Sequence, residues 1–240
     1  PRAERILRTD DRLAQEYAVR RASDAYQAMV PGREQLPIAA SRQQILDAVA
    51  HSQVVVLSGE TGCGKSTQLP AYLLEDALQR GYPCKIYVTE PRRISAISLA
   101  ERVSQELGEA RGAIGGPDSY VGYAIRLDSQ VGRNARLIYA TTGIALRMLE
   151  SSSFDEITHI IIDEVHERSI ESDFLLMVLK VLMQERPNLK VVLMSATLDA
   201  GRISEYFGGC PMLQVPGRTF PVDEYYLEDV VEMCDYTPEP

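Results

Sequence analysis

Nine consecutive residues, Gly59-Glu60-Thr61-Gly62-Cys63-Gly64-Lys65-Ser66-Thr67, fit the pattern G-x-x-x-x-G-K-[ST]. Glycines at these positions let backbone N–H groups close around phosphate oxygens, and the start of a following helix adds partial positive charge. In such a loop Lys65 reaches the β- and γ-phosphates of a nucleoside triphosphate, and the Ser66 hydroxyl ligates Mg²⁺. A glycine turn with a solvated lysine is the alternative. The context argues against it, because a β-branched run precedes the loop and an apolar pattern at helical spacing follows.

A second cluster begins 98 residues after Lys65, at Asp163-Glu164-Val165-His166-Glu167-Arg168-Ser169. It follows the apolar run Ile160-Ile161-Ile162, which reads as a buried strand. Ligand sites in open α/β sheets lie at the carboxyl ends of strands, so Asp163 and Glu164 are expected to face the loop at 59–67. Asp163 can hold a Mg²⁺ shell, and Glu164 can orient and deprotonate an attacking water. His166 can link that site to a moving part. Alone, the cluster would pass for an acidic loop after a strand. Paired with the phosphate loop, it points to nucleotide hydrolysis.

The elements that position these residues follow from periodicity. Residues 1–33 read as a helical extension with an apolar stripe of Val19, Ala22, Tyr26 and Met29, stopped by Pro31-Gly32. Leu36-Pro37-Ile38 reads as extended, and Ser41 as the cap of a helix carrying Ile45, Leu46 and Val49. Strands are expected at 54–57, 84–89, 120–125, 136–140, 159–163, 190–194 and 212–215. Helices are expected after the phosphate loop and at 94–107, 143–149, 174–183 and 199–207, with a glycine-rich loop at 112–119. Apolar strands alternating with helices imply an α/β fold, a mostly parallel sheet with helices on both faces. Residues 216–221 read as a linker and 222–227 as the start of a further strand, the opening of another domain.

Composition narrows the class. The 240 residues and 45% hydrophobic content suit one large domain or one and a half. No apolar run approaches the roughly 20 residues of a membrane helix, so no membrane partner is expected. No leader is expected at the start, and the chain opens on Pro1 as an excised piece would. Cys63, Cys84, Cys210 and Cys234 have no C-x-x-C pairing, which points to reduced thiols inside a cell rather than a metal site or disulfides. Cys63 reads as a small filler in the loop. The net charge of −9 argues against a generic nucleic-acid tail, but seven acids and one arginine fall in residues 216–240, so a local arginine face remains open. His51 at a helix end and His159 at a strand start are not spaced for metal.

The phosphate loop and Asp163-Glu164-Val165-His166 resemble the DEAH/RHA (DExH-box) family of superfamily 2 helicases. Three further stretches agree: Thr89-Glu90-Pro91-Arg92-Arg93-Ile94-Ser95-Ala96 is similar to motif Ia, Thr141-Thr142-Gly143 to motif Ib, and Ser195-Ala196-Thr197 to motif III. The only departure from DEAH itself is Val165 for alanine, between the functional positions. The wording is closer to the RHA-like, translation-associated branch than to the splicing branch.

The resemblance runs from about residue 35 to residue 228 and implies a RecA-like P-loop NTPase domain over 34–215. Residues 216–240 would then be the linker and the start of a second RecA-like lobe. It implies ATP, or another NTP, with Mg²⁺. Arg92, Arg93, Thr141 and Thr142 would contact the RNA backbone, and Arg126 would add to that face. Arg102 would stack on the nucleotide base. Ser195 and Thr197 would couple hydrolysis to lobe movement. Arginine fingers would come from the second lobe, and the C-terminal domains of a parent chain, a protein activator or the ribosome are further expected partners. A cytoplasmic setting is expected, with the nucleus as the alternative. Competing readings are a P-loop ATPase acting on protein or solute, a GTPase, and a non-catalytic RNA-binding scaffold with a helicase fold. No Asn-Lys-x-Asp guanine reader supports the GTPase, and Arg92-Arg93 with Thr141-Thr142-Gly143 favours RNA over protein.

Overall fold

The apolar runs form the centre of one eight-stranded sheet in the computed structural model, which describes residues 11–149, 155–196, 200–217 and 223–235. In chain order the elements are α1 (Asp11–Arg21), α2 (Asp24–Glu34), α3 (Arg42–His51), β1 (Val54–Gly59), α4 (Lys65–Gln79), β2 (Ile86–Glu90) and α5 (Arg93–Glu106). Then come β3 (Val121–Ile125), β4 (Asp128–Gln130), β5 (Leu137–Thr141), α6 (Thr142–Leu149), β6 (His159–Ile162) and α7 (Ile170–Glu185). The chain continues through β7 (Lys190–Ser195), α8 (Ala200–Tyr206), β8 (Met212–Val215) and α9 (Leu227–Met233).

The strand order is β4-β3-β5-β2-β6-β7-β1-β8. Every pairing is parallel except the β3–β4 hairpin. This order decides where the site lies. The loop after β1 and the acids after β6 are separated by one strand, β7, and β6 is also the neighbour of β2. All the motif-bearing turns therefore open on the same C-terminal edge.

Side-chain alternation divides the core in two. Val55 and Leu57 of β1 pack with α1 to α5, whereas Val54 and Val56 pack with α6 and α7. Ile161 and Val192 continue the first layer, and Ile160, Ile162 and Val191 the second. Strands buried on both faces explain why these runs are apolar throughout rather than alternating.

Several local expectations are corrected. The helical extension is two helices, broken at Ser23, whose side chain accepts from the Tyr26 N–H and caps α2. Pro31-Gly32 does not stop α2, which runs on to Glu34; Arg33 at its end is buried and anchored to Glu75. Val19 is exposed, and the buried stripe is Leu13, Tyr17 and Tyr26. Pro37–Ser41 is a 3₁₀ turn rather than extended, and Ser41 makes no side-chain cap bond. The strand expected at 222–227 does not appear among its described residues: 223–226 is irregular and Leu227 opens α9, with the Asp229 carboxylate accepting from the Tyr226 N–H at 2.9 Å. Residues 1–10, 218–222 and 197–199, with Thr197 among them, lie outside the described residues.

Candidate functional site

The loop at 59–67 lies between β1 and α4, as its pattern requires. Gly64 takes φ +99°, and a Cβ there would stand 3.0 Å from Ile38 Cγ2, so position 64 needs glycine on both grounds. The Leu36–Ile38 segment braces the loop from outside, and the Ile38 N–H donates to the Cys63 carbonyl at 3.1 Å. Glu60, Thr61 and Gly62 form the exposed crest, while Cys63 is fully buried, in keeping with a small filler. Lys65 is 6% exposed; its ammonium donates to the carbonyls of Gly59 and, at 2.9 Å, Glu60. The Tyr139 hydroxyl donates to the Ser66 carbonyl at 2.9 Å, and Thr67 is held by Gln68 Nε2 at 3.0 Å.

Asp163 and Glu164 follow β6 and face this loop. Asp163 is 3% exposed; one carboxylate oxygen accepts the Glu164 N–H at 2.8 Å, and the other, Oδ2, is buried with no hydrogen-bond partner. Burial raises the Asp163 carboxyl above its ordinary range, opposed by the Ser66 hydroxyl, the Glu164 N–H and Lys65. Glu164 is also raised, by burial first and by Asp163 second. That shift moves a carboxylate towards neutral pH, where a general base works best. Glu164 and Arg168 hold φ values of +53° and +51°. For non-glycine residues this costs roughly 1–3 kcal/mol each, and such strain clusters at functional sites.

Ser66, Asp163 and Glu164 line a cleft of about 380 Å³ with Glu90, Pro91, Arg92, Ser95 and Glu167. An orphaned, buried carboxylate oxygen facing a serine hydroxyl is the donor set expected of a Mg²⁺ site completed by phosphate and water. The residues therefore fit the metal.

The arginines sit beside the cleft. The C-terminal ends of β3, β5 and β2 are neighbours in the sheet, and they place Arg126, Thr141 and Arg92-Arg93 in one row next to β6. Arg93 Nη2 donates to the Arg126 carbonyl at 3.4 Å. Arg92, at the N-cap of α5, pairs with Glu167 at 2.8 Å, so an acid of the second motif offsets the cation at that helix start. Thr142 departs from its expected surface role: it is 3% exposed, with its hydroxyl on the Glu90 carbonyl at 3.5 Å. Thr141 is the partly exposed member of the pair. Arg102 is exposed on α5 and pairs with the buried Glu106 at 2.7 Å, next to Gln68 and the phosphate loop.

His166 joins the two remaining motifs. Its Nδ1 lies 3.3 Å from the Ala196 backbone N and 3.3 Å from Glu164 Oε2. A lone pair on Nδ1 accepts the Ala196 N–H, whereas a proton there faces Glu164. Ser195 is fully buried at the end of β7. The sequence pattern did not single out Glu90, Glu167 or Gln68, although the first two lie inside recognised motifs. Nor did it find Arg33, Glu75 and Glu106, buried charges whose pairing depends on contacts distant in sequence. At the far end of the sheet His159 is lowered to about 4 by burial and by Lys190 and stays neutral, in line with a structural role. No helix among the described residues is long and apolar enough to cross a membrane.

Comparison with known proteins agrees with this geometry. The DEAD/DEAH box helicase family model matches residues 40–205. The chain is 50% identical to the ATP-dependent RNA helicase dhx29 of Xenopus laevis over 91% of its length and 16% of that protein's. It is 50% identical to the DExH-box ATP-dependent RNA helicase DExH3 of Arabidopsis thaliana over 88% of the chain and 17% of that protein. It is 45% identical to the ATP-dependent DNA/RNA helicase DHX36 of Bos taurus over 96% of the chain and 23% of that protein. The chain thus spans about a sixth to a quarter of the length of these relatives. With the phosphate loop and the Asp163-Glu164-Val165-His166 turn on one edge of a parallel sheet, it belongs to the DEAD/DEAH box helicase family.

Proposed function

We propose that this chain is the first RecA-like lobe of an ATP-dependent RNA helicase. The observation that carries the reading is the shared cleft of Ser66, Asp163 and Glu164, which reaches Arg92 at the start of the arginine row. In this reading Lys65 leaves the Gly59 and Glu60 carbonyls for the phosphates, and its short reach keeps it buried beside them. Ser66 and Asp163 hold Mg²⁺, which neutralises phosphate charge when bound. Glu164 takes a proton from the attacking water. Arg102 stacks on the base, its guanidinium plane fixed by Glu106.

Arg92, Arg93, Arg126 and Thr141 hold the RNA backbone without reading sequence, and Thr142 fixes the turn beneath them. His166 relays the state of Glu164 to the Ser195–Thr197 segment, which passes it to a second RecA-like lobe. That lobe supplies arginine fingers, worth roughly 10³–10⁵ in rate in related NTPases. Without it the 240-residue chain binds nucleotide and turns it over slowly.

The test is steady-state ATP hydrolysis by a protein carrying both lobes, with and without single-stranded RNA, beside its Glu164→Gln variant. RNA stimulation that vanishes in the variant is the expected result. Turnover indifferent to RNA would favour an ATPase acting on protein, and no turnover would favour a scaffold.

A further inference from the structure

The cleft holds one more acid, which this mechanism leaves without a task. Glu90 ends β2, the strand paired with β6, and its carboxyl stands beside that of Asp163. Glu90 is 2% exposed, and its Oε1 has no hydrogen-bond partner; nor has Asp163 Oδ2. An unpaired buried carboxylate oxygen is costly and two ionised ones side by side would repel, so burial first and Asp163 second push Glu90 up to about 9 and the two carboxyls share a proton in a side-chain hydrogen bond. The nearest cations are engaged elsewhere, Arg92 with Glu167 and Lys65 with the loop carbonyls. The backbone under both acids is fixed. The Thr142 hydroxyl donates to the Glu90 carbonyl, and the Asp163 N–H donates to the Thr89 carbonyl at 3.1 Å. Strand pairing and the hydrogen bond between the two carboxyls hold them side by side, and a cation beside them would take the place of the shared proton.

The chemistry of that cation is constrained. Among the described residues no three acid, histidine or cysteine side chains converge to cage a metal on their own. Mg²⁺ does not need such a cage. It keeps several waters and takes one or two carboxylates together with substrate phosphates. Carboxylates that hold metal-bound waters tune affinity nearly as strongly as direct ligands.

We propose that Glu90 acts with Asp163 as a second carboxylate of this site, accepting hydrogen bonds from the waters of a divalent cation bound with nucleotide. The inference rests on the Mg²⁺-nucleotide reading of the cleft. It makes Glu90 a positioning residue for the metal and gives motif Ia a part in nucleotide binding besides its part at the RNA surface.

The test is Mn²⁺ binding to the 240-residue chain at saturating ADP, followed by loss of the free-ion electron paramagnetic resonance signal. ADP affinity in EDTA is measured alongside. Glu90→Gln is expected to weaken Mn²⁺ roughly tenfold and to leave metal-free ADP affinity unchanged, with Glu90→Asp in between. Mn²⁺ affinity equal to or tighter than wild type in both variants overturns the proposal and leaves Glu90 as an acid that only packs against Asp163. If Glu90→Gln does not fold, Glu90→Asp decides, since pulling the carboxylate back by one methylene must still weaken Mn²⁺. Asp163→Asn separates the two levels of inference. Loss of Mn²⁺ there with no change at Glu90 sinks only the role of Glu90. Retention of Mn²⁺ in Asp163→Asn sinks the metal reading of the cleft itself.

Discussion

Replacing Glu75 by leucine should cost about 3–5 kcal/mol of stability, the range for stranding one partner of a buried ion pair. Glu75 on α4 is fully enclosed, its side chain 1% exposed. One oxygen accepts Arg33 Nη1 at 2.7 Å and the Tyr26 hydroxyl at 2.7 Å, and the other accepts Arg42 Nη2 at 3.1 Å. Arg42 is 43% exposed and adds little, since water screens it. Arg33 is the sensitive partner. Its side chain is 7% exposed, and without Glu75 its remaining acceptors are Gln68 at 2.9 Å, the Tyr26 oxygen at 3.3 Å and Glu106 at 3.9 Å. The guanidinium would stay charged and buried with poor compensation. Adding Arg33→Met should recover much of the loss, because the two deletions share one interaction. Urea unfolding at pH 7 on the single and double variants measures this, with m held constant across the set. A Glu75→Leu cost below about 1 kcal/mol, or a double variant equal to the sum of the singles, would refute the claim that α2 is locked to the phosphate-loop helix through this pair.

Other perturbations address function and pH. Glu167→Gln frees Arg92; the pair is exposed, so stability should change by less than about 1 kcal/mol, while affinity for labelled single-stranded RNA, read by anisotropy, should rise. A drop in affinity would count against Arg92 as a backbone contact. His159 is held near 4 in the fold against an ordinary 6.5, so the unfolded chain binds the extra proton between those values. Stability therefore falls as pH drops from 6.5 to 4, by up to about 1.4 kcal/mol per unit. His159→Gln should remove that part of the slope, and an identical slope in the variant would show that His159 is solvated.

The phosphate loop and the Asp163-Glu164 turn were legible because each is a short, local pattern bound to a strand end, and strand ends at one sheet edge meet. Apolar runs such as Ile160–Ile162 placed the central strands within a residue or two. What escaped depends on distant partners. Pro31 predicts a stop, yet α2 continues because Arg33 is drawn into the pair with Glu75, a tertiary contact that outweighs local propensity. β4 is three exposed polar residues, Asp128–Gln130, with no alternation to reveal it. Glu90 and Glu167 sat inside recognised motifs, but the burial of Glu90 and the pairing of Glu167 with Arg92 follow from β2 lying beside β6, which no local pattern states. Residues 222–227 read as strand from their aromatic and β-branched content, whereas Leu227, Val230 and Val231 follow helical spacing behind an Asp229 cap.

The most direct test is a crystal structure of this chain with Mg²⁺ and ADP. The expected result has the β-phosphate within hydrogen-bond distance of Lys65 Nζ, now withdrawn from the Gly59 and Glu60 carbonyls, and the metal on Ser66 with Asp163 in its shell. Nucleotide bound away from the loop, or Lys65 still on those carbonyls beneath a bound phosphate, would contradict it.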